Sequence, residues 1–201
     1  MGRQVKEPPG RPREFDREMV LAQATDVFWQ QGFAKTTYAD LEQATGLHRQ
    51  SLVYAFGDKK ALFQAALNHY AATQVQDIIE QITAPGSPIA NLRSLLDAWT
   101  EEAEQEITRG CLFVNTSGEL GQGEPAFIQV IDSTNERVVQ ALQKTIQAGQ
   151  EQGEIVSYLD ATDLAQQILA VGDGVLLRSR VSRDASFARA VFRSLLASIE
   201  C

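Results

Sequence analysis

Apolar residues recur at helical spacing along nearly the whole chain, and no other feature constrains the fold as strongly. In the first such segment Val20, Ala24, Val27 and Phe28 lie three or four positions apart, so they share one face of a helix. The sustained two-residue alternation of apolar and polar side chains that marks strands is missing from the sequence. The pattern therefore predicts an all-α fold of about nine helices.

Helix-capping residues divide the first part of the chain into short helices. Asp16 is a predicted N-cap, and Gly32 ends the helix that Asp16 opens. Thr37 and Asp40 have the spacing of a capping box, which places the start of a second helix at Thr37. Gly46 ends that helix.

The rest of the chain has longer helices with clear breaks between them. A third short helix is predicted over about residues 48–56, and Asp58 caps a long fourth helix that runs to Ile82. Ser87 and Pro88 then form an N-cap followed by proline at the first helical position. Further helical segments are predicted to about residue 106, over residues 110–120, from 125 to near 153, from 160 through 176, and over 187–199.

The first three helices match a helix-turn-helix unit, with Gly46 in the tight turn between the second and third. Leu47 and Leu52 anchor the third helix from beneath. Its outward-facing side chains are hydrogen-bonding or cationic: His48, Arg49, Gln50, Ser51 and Tyr54. Arginine can bridge guanine, and glutamine can bridge adenine, at the edges of the major groove. An αα-hairpin without DNA binding has the same helical pattern, so that alternative stays open.

The charge distribution divides the chain into two parts. The whole chain has a net charge of −8, but residues 1–60 hold nine basic and eight acidic side chains. Residues 61–201 hold nine basic and eighteen acidic side chains. The amino-terminal part can therefore approach DNA although the chain as a whole is acidic.

Three segments in register resemble the TetR family of transcriptional regulators: GFAKTT at 32–37, ATGL at 44–47 and LVYAFGDKKAL at 52–62. The family's spacing is matched without a gap over about residues 15–67. The resemblance implies a basic flexible arm (1–14), a helix-turn-helix DNA-binding domain (15–60) and an effector-binding and dimerisation domain (61–201). It further implies a homodimer that represses by binding a palindromic double-stranded DNA operator and leaves it when a small-molecule effector binds or when a thiol is modified.

The resemblance also implies roles for the matching residues of the DNA-binding domain. Thr36 and Thr37 are expected to contact phosphate at a helix start, where free N–H groups and the helix dipole favour anions. Tyr54 is expected to bond DNA backbone or base, and Lys59 to bind phosphate. Each residue also has a purely structural interpretation: Thr37 as a cap, Tyr54 as a partly buried aromatic, and Lys59 as a solvated charge.

Three positions depart from the family pattern. The family usually has a small hydroxyl residue at the position of His48, an aromatic residue at Val53 and a small residue at Glu42. These departures leave the base contacts and the operator sequence open.

The Pro/Arg-rich segment before the first helix gives a second indication of DNA binding. Gly-Arg-Pro is extended, which would allow Arg11 and Arg13 to enter the minor groove. A solvated tail is the alternative interpretation.

The last two helices of the family form the dimer interface. Here the stretch AVGDGV at 170–175 places small residues on an apolar helix, where they permit close contact either with a second copy or within the chain. Arg178, Arg180 and Arg183 follow at the carboxyl end of that helix, where cations complement the dipole.

The stretch RGCLFVN at 109–115 resembles a branch of the family in which Gly-Cys-Leu recurs and in which some members sense electrophiles or oxidants. A helix N-terminus and Arg109 would lower the pKa of the Cys111 thiol and make it reactive, whereas an inert buried cysteine is the alternative. The predicted effector site combines this thiol with three aromatic residues and one amide: Trp99, Phe113, Phe127 and Asn115. Core packing is the alternative for the aromatic residues.

Other function classes fit the sequence less well. An enzyme that uses Cys111 as nucleophile would need a histidine base, and His48 and His69 lie in the segments assigned to the first domain and the fourth helix. The two histidines and two cysteines are scattered, and no glycine-rich phosphate loop is present. We therefore expect no catalytic residues, metal or cofactor, no association with a membrane, and a cytoplasmic location. A helical interaction module or a cysteine-dependent enzyme without DNA binding is the alternative.

Overall fold

The structure is a computed structural model that describes residues 15–105, 108–182, 184 and 186–201. These residues form ten α-helices and one π-helical turn. In chain order they are α1 (Arg17–Gln31), α2 (Tyr38–Thr45), α3 (Arg49–Phe56), α4 (Lys59–Tyr70), the π-helical turn (Ala71–Val75), α5 (Gln76–Ile82), α6 (Pro88–Glu104), α7 (Leu112–Leu120), α8 (Pro125–Glu151), α9 (Ala161–Ser179) and α10 (Ser186–Ile199). The arm with Arg11 and Arg13, and also Arg183, lie outside the described residues.

The predicted long fourth helix is present, but a π-helical turn interrupts it. Tyr70 and Gln76, on either side of the turn, keep right-handed helical backbone angles, so α4, the turn and α5 form one continuous rod. Counted in this way, the described residues contain nine rods, and the expectation of an all-α fold with about nine helices is confirmed. The π-helical turn was not expected, because its residues, Ala71–Val75, contain no glycine or proline that would mark it.

The N-caps expected from the sequence are formed. Asp16 accepts hydrogen bonds from the backbone N–H groups of Glu18 and Met19, and Asp58 accepts one from Ala61. The side chains of Ser87 and Asp160 cap α6 and α9 in the same way. Each cap satisfies N–H groups that have no partner inside their own helix, so these local signals set the helix starts.

The hydrophobic core is continuous from α1 to α10, and α4 joins its two ends. α4 packs on α1 and also on α8, so the expected domain boundary at residues 60 and 61 falls inside a helix that serves both parts. Phe63 of α4 contacts Phe28 of α1 and Phe127 of α8, with ring centroids 4.8 and 5.0 Å apart. A movement of α4 would therefore change its packing against both α1 and α8.

Helices α8 and α9 pack along each other, and α6 lies against α9 and α10. An isolated β-bridge joins Ile155 to Glu200 after the last helix. Within the described ranges no helix is long and apolar enough to cross a membrane.

Candidate functional site

The turn between α2 and α3 has the geometry that its sequence predicts. Thr37 and Asp40 form a reciprocal capping box, with the Thr37 N–H donating to Asp40 Oδ2 at 2.8 Å and the Asp40 N–H donating to Thr37 Oγ1 at 3.3 Å. Hydrogen bonds from Thr37 lower the pKa of Asp40. Gly46 has φ of 67°, in the left-handed region that only glycine adopts easily. The second and third helices are thus fixed in the helix-turn-helix arrangement.

Helix α3 buries one face and exposes the other. Leu52 is fully buried, whereas Tyr54 is 92% exposed. The other predicted DNA-reading side chains lie at the amino end of the helix: His48, Arg49 and Gln50 are exposed, and Ser51 is half-buried. The exposed Tyr54 ring adds nothing to the stability of the fold, because it is not buried. Its hydroxyl and the neighbouring cationic and amide groups are therefore free to contact a polar partner.

Glu42 caps the helix that carries these residues, a role that its sequence position does not indicate. His48 occupies the N-cap position of α3 but makes no side-chain capping bond. Instead Glu42 of α2 accepts the hydrogen bond from the Arg49 N–H, and its carboxylate lies 3.9 Å from His48 Nδ1. Two of the three departures from the family pattern, at positions 42 and 48, are therefore neighbours. Glu42 supplies the acceptor for the first N–H of α3 that the His48 side chain does not supply.

Two residues that were expected to bind phosphate have structural roles here. Thr36 is 1% exposed, and its hydroxyl donates to the Gly32 carbonyl at 2.7 Å, so its side chain is engaged inside the chain and the phosphate contact stays an expectation. Lys59 Nζ donates to the carbonyls of Phe33 and Thr36, both at 3.0 Å, and lies 4.6 Å from the centre of the Phe33 ring. Lys59 therefore fastens the α1–α2 connection to α4 and keeps one of its three N–H groups for another partner. Thr37 is exposed at the start of α2, and phosphate contact there stays an expectation.

A cavity of about 290 Å³ has walls from α1, α4, the π-helical turn, α5, α6, α8 and α9. The segment from Gly110 to α7 closes one side. Four aromatic side chains form part of its lining: Trp29, Tyr70, Trp99 and Phe113. The unexpected π-helical turn contributes Gln74 and Val75.

Three of the five residues predicted for an effector site line this cavity, namely Trp99, Cys111 and Phe113. Phe127 does not, because it packs between the rings of Phe33 and Phe63. Asn115 does not either, since its amide nitrogen donates to the Arg109 carbonyl at 2.9 Å. Neither residue therefore lines this cavity, and their part in an effector site stays a prediction.

The environment of Cys111 differs from the sequence expectation. Cys111 is the N-cap residue of α7, but burial raises the pKa of its thiol. The guanidinium of Arg109 does not counter this effect, because it pairs with Asp26 at 2.7 Å and lies 3.8 Å from the centre of the Trp29 ring. The Tyr70 hydroxyl donates to Sγ at 3.7 Å. The expected lowering of the thiol pKa is thus wrong.

The segment around α7 ties the cavity to the helix-turn-helix unit. Near the cavity, the Trp29 indole of α1 donates to the Gly110 carbonyl at 2.9 Å. At the far end of α7 the Glu119 carboxylate accepts hydrogen bonds from the N–H groups of Phe33 and Ala34, at 2.9 and 2.6 Å. Gly32, whose carbonyl end leads into this contact, has φ of 83°, a backbone conformation that favours glycine. We name residues 109–119 the clamp.

The small-residue stretch of α9 faces two ways. A Cβ on Gly172 would meet the Trp99 ring at 2.3 Å, so Gly172 permits a close contact inside the chain. A Cβ on Gly174 would meet nothing within 4 Å. Gly174 lies on an exposed stripe of the same helix and its end with Ala170, Leu177 and Val181. Both alternatives for this stretch therefore have residues that fit them.

Comparisons with known proteins agree with this architecture. The profile described as "Bacterial regulatory proteins, tetR family" matches residues 20–66, and the profile described as "Tetracyclin repressor-like, C-terminal domain" matches residues 88–195. The HTH-type transcriptional repressor ComR of Escherichia coli (strain K12) is 28% identical over 181 residues, which span 88% of this chain and 85% of ComR.

Solved structures give the same result. A cysteine-substituted variant of the TetR family regulator CifR, complexed with 26-base-pair operator DNA, is 25% identical and superposes with a TM-score of 0.82 over 94% of this chain and 100% of that chain. The reduced form of E. coli NemR is 21% identical with a TM-score of 0.83, over 91% of this chain and 96% of that chain, and supports the fold alone. The chain belongs to the TetR family of bacterial transcriptional regulators.

Proposed function

We propose that the chain is a transcriptional repressor that binds operator DNA through α3 and is released when a small molecule occupies the cavity. The observation that carries the first half is the exposed amino-terminal face of α3, set in a helix-turn-helix unit with the family's spacing. ComR is named a repressor, and the CifR variant is complexed with operator DNA, which supports the same activity for this chain. A protein that acts on the bacterial chromosome works in the cytoplasm.

We infer that the active form is a homodimer on a palindromic site. The exposed stripe of α9 consists of small and apolar residues at helical spacing, and Ala190, Ser194 and Ala197 are exposed on α10. Small residues allow two helix pairs to approach closely, and burial of Leu177 and Val181 would supply apolar area. A two-fold dimer would place two α3 helices in successive major grooves, about 34–36 Å apart.

Release follows from the position of the clamp. A ligand that pushes Trp29, Tyr70 or Phe113 would act on α1, α4 or α7, all of which hold the helix-turn-helix unit. Glu119 would transmit movement of α7 to the α1–α2 connection. A ligand changes operator affinity only by its difference in affinity between the two states, typically about 1–3 kcal/mol.

The same cavity contains Cys111, so thiol modification is the second route to release. The raised pKa of the thiol disfavours the thiolate, which is the reactive form. We therefore place reversible binding first. Replacement of Cys111 by serine decides between the routes, with the exposed Cys201→Ser as its control. If electrophiles still release Cys111→Ser from DNA, the cysteine is not the sensor.

We propose no catalytic activity. A cysteine nucleophile needs a neighbouring base, and neither of the chain's two histidines, both within the described residues, lines the cavity that contains Cys111.

Footprinting on the DNA upstream of the chain's own gene tests DNA binding. We expect protection that weakens steeply with salt, because each phosphate contact contributes a slope of about −0.9 in log K against log salt. Arg49→Ala should lose at least about fivefold in affinity for the protected site, consistent with the ~1–3 kcal/mol of one good base contact. Lys144→Ala removes another exposed cation, on α8, and should bind as the unmodified protein does. Absence of salt-sensitive protection there and elsewhere in the genome contradicts the proposal.

A further inference from the structure

We propose that the cavity selects a hydrophobic organic cation, such as a protonated or quaternary aromatic amine. This inference rests on the proposed function of the cavity as the effector site and adds the chemical class of the ligand. Three side chains in the lining are carboxylic acids, namely Asp77, Glu102 and Asp173, and none of the described residues that line the cavity is a lysine, arginine or histidine. The cavity thus combines apolar walls with an excess of negative charge.

Asp173 carries most of this argument. It lies in the middle of α9, half-buried, and among the described residues no hydrogen-bond or ion-pair partner is found for its carboxylate. The other acidic groups are better satisfied: Glu102 accepts a hydrogen bond from the Thr108 hydroxyl at 3.1 Å, and Asp77 is exposed at the rim. Burial removes part of the water around the carboxylate without supplying another hydrogen bond, which disfavours its charged form. A cationic ligand would supply the missing partner.

The aromatic walls favour the same class of ligand. Aromatic faces attract cations when water is excluded. Trp29 already receives one cation on its face, the guanidinium of Arg109, 3.8 Å from its ring centre. Tyr70 lies edge to face with both Trp29 and Phe113, which makes the aromatic wall continuous. An anion would meet three carboxylates in this space, and a neutral molecule would leave the charge of Asp173 uncompensated.

The volume sets the size of the ligand. About 290 Å³ corresponds to roughly ten water molecules at ~30 Å³ each, which suits a compound of one or two rings. The walls come from eight helical segments, and the clamp and α9 both contribute to them, so a ligand of this size would contact both. Charge recognition by Asp173 and displacement of the clamp would then occur in a single binding event.

Three ring compounds of similar size test the ligand class on the full chain by calorimetry: N-methylquinolinium (a cation), 1-methylnaphthalene (neutral) and 1-naphthoate (an anion). The cation should bind at least tenfold more tightly than the neutral compound, and the anion least. It should also quench tryptophan fluorescence to saturation, because the chain's only two tryptophans, Trp29 and Trp99, both line the cavity. Equal binding of the three compounds, or no binding of the cation up to millimolar concentration, overturns the proposal.

Paired variants locate the charge that matters. Asp173→Asn keeps the shape of the side chain and should reduce the preference for the cation at least tenfold, leaving 1-methylnaphthalene unaffected. Asp97→Asn, at an exposed position of α6 outside the cavity lining, should retain the full preference. An unchanged preference in Asp173→Asn overturns the proposal.

The outcome for DNA is measured separately with the unmodified protein. If the chain binds its operator and an anion or a neutral molecule releases it, the ligand class is wrong and the repressor function stands. If the cation binds the cavity but the chain protects no DNA, the repressor function fails and the ligand class stands.

Discussion

Replacement of Asp173 by asparagine should stabilise the ligand-free protein at neutral pH. Burial raises the pKa of Asp173 from 3.8 to about 6, so the charged carboxylate is about two pKa units less favourable in the folded chain than in the unfolded one. At ~1.4 kcal/mol per unit, keeping the charge at pH 7 costs the fold up to about 3 kcal/mol. Because the asparagine amide still has to be partly buried, we expect the free energy of unfolding at pH 7 to rise by about 1–3 kcal/mol.

The sign of the pH dependence follows from the direction of the shift. Because the folded-state pKa is the higher one, the folded protein binds more protons than the unfolded one between pH 3.8 and 6, and the stability of the unmodified protein falls as pH rises through that range. The advantage of Asp173→Asn should therefore be full at pH 7, smaller near pH 5 and absent below pH 3.8.

Urea and thermal unfolding at pH 7 and pH 5 measure this effect, with Asp97→Asn as the exposed control. A gain of 1 kcal/mol raises the Tm of a chain of this length by about 2–4 °C. An unchanged or lower stability of Asp173→Asn at pH 7, or a gain that does not shrink on acidification, refutes the reasoning. The expected combination, a more stable protein with weaker cation binding, is typical of a residue kept for function rather than for folding.

Three further substitutions test contacts of the cavity, the clamp and the DNA-binding unit. Gly172→Ala should lower the free energy of unfolding by about 1–3 kcal/mol, because its Cβ would overlap the Trp99 ring. The Cβ of Gly118→Ala meets nothing within 4 Å, so this control should be neutral or up to ~1 kcal/mol more stable. Equal effects of the two substitutions on unfolding would contradict the packing argument. Glu119→Ala removes the acceptor of two backbone N–H groups in the α1–α2 connection. The ratio of the operator Kd with the cavity ligand to that without it should therefore fall at least about threefold. An unchanged ratio would mean that the clamp does not couple the cavity to DNA binding. Glu42→Ala should weaken operator binding about three- to tenfold by loss of the α3 cap, with Glu42→Gln close to the unmodified protein; tighter binding by both variants would mean that Glu42 acts only through repulsion of DNA phosphates.

The sequence predicts those features whose partners are close along the chain. The capping box of Thr37 and Asp40 spans three residues, and the Asp58 cap equally few, so spacing and residue type decide them. The exposed face of α3 follows in the same way from the burial of Leu52. Local signals of this kind are therefore sufficient to place the helix-turn-helix unit.

The features that the sequence does not predict depend on distant partners. Lys59 bonds carbonyls 23 and 26 residues away, and Glu119 binds the α1–α2 connection 85 residues away. The predicted direction of the Cys111 pKa shift was wrong. The sequence shows the helix N-terminus and Arg109, which lower the pKa, but not the burial by the surrounding helices, which raises it. Asp173 gives no signal in the sequence for the same reason, as its missing partner is evident only once the surrounding helices are in place.

Hydroxyl-radical footprinting of the full-length dimer on its operator, repeated with the cavity ligand, tests the account most directly. We predict two protected regions related by two-fold symmetry and about one helical turn apart, both lost when the ligand is added at concentrations that saturate the cavity. The same footprint should need a several-fold higher protein concentration in Arg49→Ala and the unchanged concentration in Lys144→Ala. A single protected region, or protection that persists when the cavity is full, would contradict a dimeric repressor released through this cavity.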